Sequence, residues 1–412
     1  MKVLIITHGT LLDDREIVSG NSVRAHFLAQ GLVDAGISVV HCHPRSLSGP
    51  AASRCPAVTV RTYADRQGLA RVLDQESPDV ILVGYWELLE DLPAQLDVPV
   101  VLDVVAPRVL EVLYQDPNAV ARDIARMKTL YPRADRFLVG NERQRVFLVP
   151  WLLLAGFDLR EHVPVDIIPI SLDAASARQR TEADLGRPVR FVTGGVTWPW
   201  RRAEAFFDRL VDRLSQLPPG SAELHLLTGT YVYGGPAQGK VPSSAGSIVK
   251  RGGLLPYRDL KALLRSSADI GLEVAETNIE REMSQSFRMA EFLEAGLPVI
   301  ISAHTELAGH VADYDAGWVV EQPSDLDAIV ADVMRDAAVW AGKSRGACRL
   351  AADRLDYRVT TRPLVDFVRR PSRAPRLPRQ PRLDPEAGTG WCARARAFFR
   401  RSVESMAHRK SR

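Results

Sequence analysis

Residues 276–301 read ETNIEREMSQSFRMAEFLEAGLPVII: an acidic helical stretch that runs into AGLPVI and a short apolar strand. Within it, SQSFRMAEFLEAG carries its apolar residues at helical spacing, and PVIIS is a run of strand-forming residues. Upstream stand the helical YRDLKALLRSS and the strand-type ADIGLEV; downstream come ELAGHVADY, GWVVE and DLDAIVADVMRDAAVW. Strand and helix alternate, which is the signature of a parallel α/β sheet.

The same alternation extends in both directions. VRFVTGGV, RRAEAFFDRLVDRLSQ, ELHLLTGTY and SIVKRGG open this second half. A first half runs from VLIITHG through SVRAHFLAQGLVDAG, ISVVHCHP, GLARVLDQE, DVILVGY, PVVLDVV, NAVARDIARMKTLYPRA and DRFLVGN, then a helix from Glu142, to VDIIPI. The expectation is two doubly wound, Rossmann-like domains, residues 1–170 and 189–352, joined by a polar linker at 171–188. A helix at 353–368 is expected to cross back to the first domain, followed by a basic tail at 369–412. Ligands of such sheets bind beyond the carboxyl ends of the strands, so two facing domains suit a reaction between two separately held substrates.

Composition narrows the classes. The chain has 412 residues, 46% hydrophobic and 25% charged, which excludes a disordered or fibrous protein over most of its length. The longest uncharged apolar stretch, Val146–Phe157, contains Pro150 and is too short to span a bilayer. MKVLIITHGT reads as a first strand rather than a signal peptide, and Cys42, Cys55, Cys348 and Cys392 lack a disulfide framework; a cytoplasmic protein is expected. The formal charge of +3 hides an asymmetry: residues 369–412 carry thirteen Lys/Arg against Asp384, Glu386 and Glu404. The rest is mildly acidic, with 40 basic and 47 acidic groups, and no nucleic-acid partner is expected. The tail begins RRPSRAPRLPRQPRLDPEAGTG and ends WCARARAFFRRSVESMAHRKSR, a composition suited to an anionic membrane surface or to a solvated terminus.

Taken in order, ADRFLVGNERQR, VDIIPISLD, GGVTWPW, RGGLLPYRDLKALLRSSADIGLEV and the stretch 276–301 resemble GT-B glycosyltransferases. The likeness is to the family 4-like enzymes of bacterial surface-polysaccharide synthesis, and it covers residue 1 to about 339. It implies a retaining transfer of sugar from a nucleoside diphosphate to a hydroxyl of a glycan or lipid-linked acceptor, with no cofactor or metal. By the same resemblance, Glu291 sits where the family keeps its ribose-binding carboxylate. Eight residues earlier, where the family has a sugar-contacting glutamate, this chain has Met283. Glu276, Thr277 and Arg288 fit a variant form, in which Arg288 lies one helical turn before Glu291. Arg201 or Arg202 occupies the place of the cation that meets the departing phosphate, and Asp103 resembles an aspartate of the variant group.

Other candidates follow from the chemistry of a diphosphate, which needs cations and backbone N–H donors. Gly194 and Gly195 follow a strand and precede WPWRR and a helix start, a natural anion site. Gly20 and Asn21 lie in a small-residue loop before a helix that resembles the glycine loop approaching the donor phosphate in the family, where Asn21 or Ser22 also suits a plain N-cap. His8, just after the first strand, is an acceptor-side candidate.

Several motifs lead nowhere. GGPAQGKV at 234–241 approaches a phosphate-binding loop, but Val241 replaces the required hydroxyl. His41, Cys42 and His43 alternate along a strand and point to opposite faces, so no metal is expected there. No GxGxxG or GxSxG occurs. Two other readings share the fold: an inert subunit that binds a partner glycosyltransferase or membrane, and a nucleotide-sugar epimerase.

Overall fold

Val3, Leu4, Ile5 and Ile6 are all fully buried, because a central strand of a parallel sheet is covered by helices on both faces. In the computed structural model, which describes residues 1–47, 57–229 and 248–378, this is β1 (Lys2–Ile6). The others of its sheet are β2 (Ser38–Pro44), β3 (Val58–Tyr63), β4 (Val80–Val83), β5 (Val100–Asp103), β6 (Arg136–Val139) and β7 (Val165–Ile167). All pair in parallel, in the order β3-β2-β1-β4-β5-β6-β7. The second sheet comprises β8 (Val189–Val196), β9 (Ala222–Gly229), β10 (Val249–Gly252), β11 (Ile270–Glu273), β12 (Val299–Ser302) and β13 (Gly317–Val320). Its order, β10-β9-β8-β11-β12-β13, repeats that of the first six strands. The chain is therefore two Rossmann-like halves, each with a switch point where the strand order reverses: β1/β4 and β8/β11.

Both sheets lie within one compact unit, Met1–Ala374; Pro375–Arg412 form a second unit, described only to residue 378. The expected tail segment 391–412, the sequence 234–241, Cys55 and Cys392 lie outside the described residues. Among the described residues no helix is long and apolar enough to cross a membrane.

The segment 171–188 is polar in sequence but pinned in place. Arg180 is 4% exposed and donates to the carbonyls of Leu264 and Ala268 at 2.6 and 2.7 Å. The chain crosses between the halves again beside its first crossing: Leu172 N donates to Leu355 O at 2.9 Å and Tyr357 N to Leu172 O at 3.0 Å. Two short helices follow, Tyr357–Thr360 and Arg362–Arg369. Tyr357 stacks on Phe27 and donates to Asp34 at 2.7 Å, while Leu364, Val365 and Val368 share a core with Val3, Ile5 and Leu28.

The stretch 276–301 departs from the single helix expected. It forms helices Ile279–Met283 and Phe287–Glu294, interrupted at Ser284–Ser286. The first domain occupies the break: Asn141 Nδ2 donates to Met283 O at 3.1 Å, and Gln285 Oε1 accepts from Ile170 N at 2.7 Å. Tertiary hydrogen bonds here outweigh local helical preference.

Candidate active site

A cavity of about 740 Å³ opens where the two switch points face each other, with walls from both domains. Beneath its wall on the second domain is Glu273, the last residue of β11 and 4% exposed. A buried carboxylate survives in its charged form only if compensated. Three guanidinium groups do so: Arg288 Nε donates to Glu273 at 3.0 Å, and Arg281 and Arg201 approach within 3.5 and 3.7 Å. Burial pushes the Glu273 carboxyl up, but Arg288 and Arg201 prevail and hold it at about 2. The same crowding lowers Arg201, through burial first and then Arg288, to about 9.

Glu273 lies behind the guanidinium groups, which themselves line the cavity. Arg281 is also paired with Glu280 at 2.7 Å, so this cluster holds three cations and two carboxylates. Arg201 is fixed by Gly194 O at 3.1 Å and Thr193 Oγ1 at 2.8 Å, both on β8. Gly195 has φ +89, a conformation that favours glycine, and its bare backbone lies beside Arg288 Nη1, which a Cβ would approach to 2.7 Å. Trp198 and Trp200 of the WPWRR turn stack with centroids 5.0 Å apart and also line the cavity.

Across the cleft, the helix Gly20–Asp34 points its N-terminus into the cavity, with Gly20 and Asn21 on the wall and Ser19 Oγ capping Ser22 N at 3.2 Å. N–H groups of a first helical turn have no partner inside the helix. A Cβ on Gly20 would come within 2.5 Å of the Phe287 ring, so this close approach of the domains depends on a glycine. His8 also lines the cavity, edge-on to Tyr85 and 3.8 Å from Glu87; burial lowers its pKa.

Glu291 lines the same cavity from helix Phe287–Glu294, half-buried and without a hydrogen bond or ion pair among the described residues. Burial raises its pKa to about 7, against the pull of Arg288 and Lys261. Its neighbour Glu294 is 1% exposed and tied to Lys261 and Ser176, which leaves it a structural role.

Of the sequence candidates, the structure brings together Gly20, Asn21, Gly194, Gly195, Arg201, Arg288, Glu291 and His8 around one cavity. Three others need correction. Asp103 is 6% exposed and gripped by Arg24 Nε and Nη2 at 2.7 and 2.8 Å, with Arg24 Nη1 also donating to Ile168 O at 2.9 Å. That bidentate pair consumes the carboxylate, which ties β5 to helix Gly20–Asp34 instead of facing the cleft. Arg202 is exposed and off the cavity wall, because Arg201 takes the inward direction and adjacent residues diverge. Glu276 is likewise exposed; its backbone N–H donates to Arg202 O at 2.6 Å. The expected anion site at the start of helix Glu204–Ser215 is closed by Glu204, which accepts from Ala203 N at 3.0 Å. Glu273, Glu280 and Arg281 went unrecognised in the sequence. The glutamate between Leu272 and Val274, near the end of the buried run ADIGLEV, was the available signal, since a buried carboxylate there must find cations.

His41 and His43 face each other at 5.3 Å from one side of β2, with Cys42 on the other. Among the described residues no group of three or more His, Cys, Asp or Glu is placed to hold a metal.

No protein-family model and no curated protein matches the chain. Solved structures do. Sucrose-phosphate synthase from Thermosynechococcus elongatus is similar over 89% of this chain and 98% of its own, with TM-score 0.65 and 14% identity. The trehalose-6-phosphate synthase OtsA is similar over 90% and 100%, with TM-score 0.64 and 11% identity. Anabaena HepE in complex with UDP and glucose is similar over 90% and 99%, with TM-score 0.60 and 13% identity. At such identities the likeness is one of fold: the chain has the GT-B architecture, two Rossmann-like domains facing across a cleft.

Proposed function

We propose that this chain is a glycosyltransferase that moves a sugar from a nucleoside diphosphate to an acceptor hydroxyl, retaining anomeric configuration and using neither metal nor cofactor. The observation that carries the reading is the fan of Arg201, Arg281 and Arg288, held on the cavity wall by one buried carboxylate behind it. Guanidinium groups held in place in this way match phosphate oxygens, and the helix start at Gly20 and Asn21 adds backbone donors. HepE, a structural neighbour, has been solved with UDP-glucose, which supports a donor of this class.

In this reading Glu291 takes the ribose diol, since it is a cavity carboxylate with no competing hydrogen bond or ion pair among the described residues. The bond between the anomeric carbon and the phosphate oxygen breaks, and the diphosphate leaves with the electron pair. The acceptor oxygen bonds to that carbon from the same face, and its proton passes to the departing phosphate. Arg201 and Arg288 stabilise the charge that develops, a role in which loss of one donor costs about 10²–10³ in rate.

A membrane-borne acceptor is supported by helix Glu142–Leu154, which exposes Val146, Pro150, Leu153 and Leu154 on one face. The basic residues 369–412 suit anionic lipid at the inner face of a plasma membrane. Flotation with phosphatidylglycerol vesicles, compared with phosphatidylcholine alone, tests this part.

The donor reading is tested by calorimetry against UDP, GDP, dTDP, CDP and ADP. One nucleotide is expected to bind selectively, with affinity lost in Glu291→Ala; at a hundred times its Kd it adds about 2.7 kcal/mol of stability. Absence of binding to all five would transfer the weight to an inert scaffold.

A further inference from the structure

Residues 279–294, IEREMSQSFRMAEFLE, hold neither glycine nor proline, so nothing local breaks a helix there, yet the stretch parts at Ser284–Ser286. In one continuous helix the carbonyls of Glu282 and Met283 would accept from Ser286 N and Phe287 N, four positions on. Side chains of the first domain take both carbonyls instead. Arg143 Nη1 donates to Glu282 O at 3.0 Å, and Asn141 Nδ2 donates to Met283 O at 3.1 Å. The bond from Ile170 N to Gln285 Oε1, 2.7 Å, runs in the same direction but uses a side chain and leaves the backbone of the break free.

Both donors are fixed within their own domain before they reach across. Asn141 is 1% exposed and caps helix Glu142–Leu154 with its Oδ1, which accepts from Gln144 N at 2.8 Å. Its Nδ2 is the atom left to face Met283. Arg143, in the first turn of the same helix, also donates to His304 O after β12, so its guanidinium spans two loops of the second domain.

We infer that Asn141 and Arg143 are positioning residues of the donor site: by occupying these two carbonyls they hold the helix break open, and the break brings Arg281 and Arg288 onto Glu273 together. The inference rests on the nucleotide-sugar reading above. In one helix Arg281 and Arg288, seven residues apart, would be separated by about 10.5 Å of rise. With the break, both meet the same carboxylate, Arg288 Nε at 3.0 Å and Arg281 Nη1 at 3.5 Å. The break also leaves Ser286, Phe287 and Arg288 on the cavity wall, where Ser286 Oγ is buried without a hydrogen-bond partner among the described residues. The arginine wall of the second domain is thus complete only while the first domain is seated against it. Seating and donor binding therefore favour each other by the same factor.

The test is hydrogen exchange on the full chain, with Asn141→Ser, which keeps the cap, and Arg143→Met, singly and together. Loss of both donors is expected to let the two helices join, so that exchange at residues 284–287 slows at least tenfold while β4 and β12 exchange as before. Simple destabilisation would do the reverse, because opening speeds exchange. In calorimetry with inorganic pyrophosphate, which engages the arginine wall without a base, the double variant is expected to lose at least tenfold in affinity. Arg143→Lys, which keeps one donor, is expected to restore most of it beside Asn141→Ser. Exchange at 284–287 that is unchanged or faster would overturn the inference, as would pyrophosphate affinity equal in the unaltered chain and the double variant. If the double variant does not fold, each single variant decides by the same sign of change at 284–287. The donor reading falls on a different result, a chain that binds none of the five nucleotides, whereas the exchange measurement uses no ligand.

Discussion

Asp103 and Glu273 occupy matching kinds of place, each the last residue of a buried parallel strand at the edge of the cleft, yet their surroundings make them different devices. Asp103 meets one arginine in a two-pronged grip, and the pair is closed: Arg24 spends its remaining donors on backbone carbonyls. Glu273 meets three arginines, and the pairing stays open, with guanidinium groups left over to face the cavity. One arrangement joins elements together; the other positions cations for a ligand. The difference lies in stoichiometry, not in the carboxylate.

The hardest blow to this contrast is Glu273→Ala. Removing one partner of a buried ion cluster leaves unpaired charge, so a loss of about 3–5 kcal/mol is expected in urea denaturation, together with loss of nucleotide affinity. Asp103→Ala should cost about 3 kcal/mol by the same reasoning but leave nucleotide affinity within about twofold. A parallel fall in affinity would erase the distinction between joining and positioning.

Titration separates Glu273 from Glu291. Glu273 has its pKa depressed from 4.5 to about 2, so its contribution to stability is present above pH 4.5 and lost as pH falls towards 2. Glu291 is raised from 4.5 to about 7, so the opposite holds: stability is greatest below pH 4.5 and declines as pH rises through 7. Glu291→Gln should therefore gain about 2 kcal/mol relative to the unaltered chain between pH 5 and pH 8, by denaturation at each pH. An unchanged difference would show that the Glu291 carboxyl is not strained by burial. The smallest effects are expected at the surface: Glu276→Ala and Arg202→Ala should each change stability by under about 0.5 kcal/mol, with nucleotide affinity nearly intact.

Much of the architecture was legible because buried parallel strands announce themselves as apolar runs. DVILVGY and PVIIS needed no partner to be read, and β4 and β12 follow them. The site was legible only in part. Glu291 and Arg288 share a helix turn, so one local pattern carried both. Asp103 was misread because the residue that consumes it, Arg24, lies 79 positions away. Nothing in adjacent arginines distinguishes Arg201 from Arg202 until the β8 carbonyl of Gly194 selects one. The break at Ser284–Ser286 is likewise imposed from the other domain, by Asn141 and by Ile170. Local periodicity cannot register contacts made over such separations.

The return of the chain at Leu355–Tyr357 sets an order of assembly. Residues 357–369 complete the layer that covers Val3 and Ile5, so the half encoded first is finished last. During synthesis, which folds domains as they emerge, the second sheet has all its strands before the first has its full cover. Protease sensitivity within residues 1–170 of ribosome-arrested chains should therefore persist until residue 369 has left the tunnel.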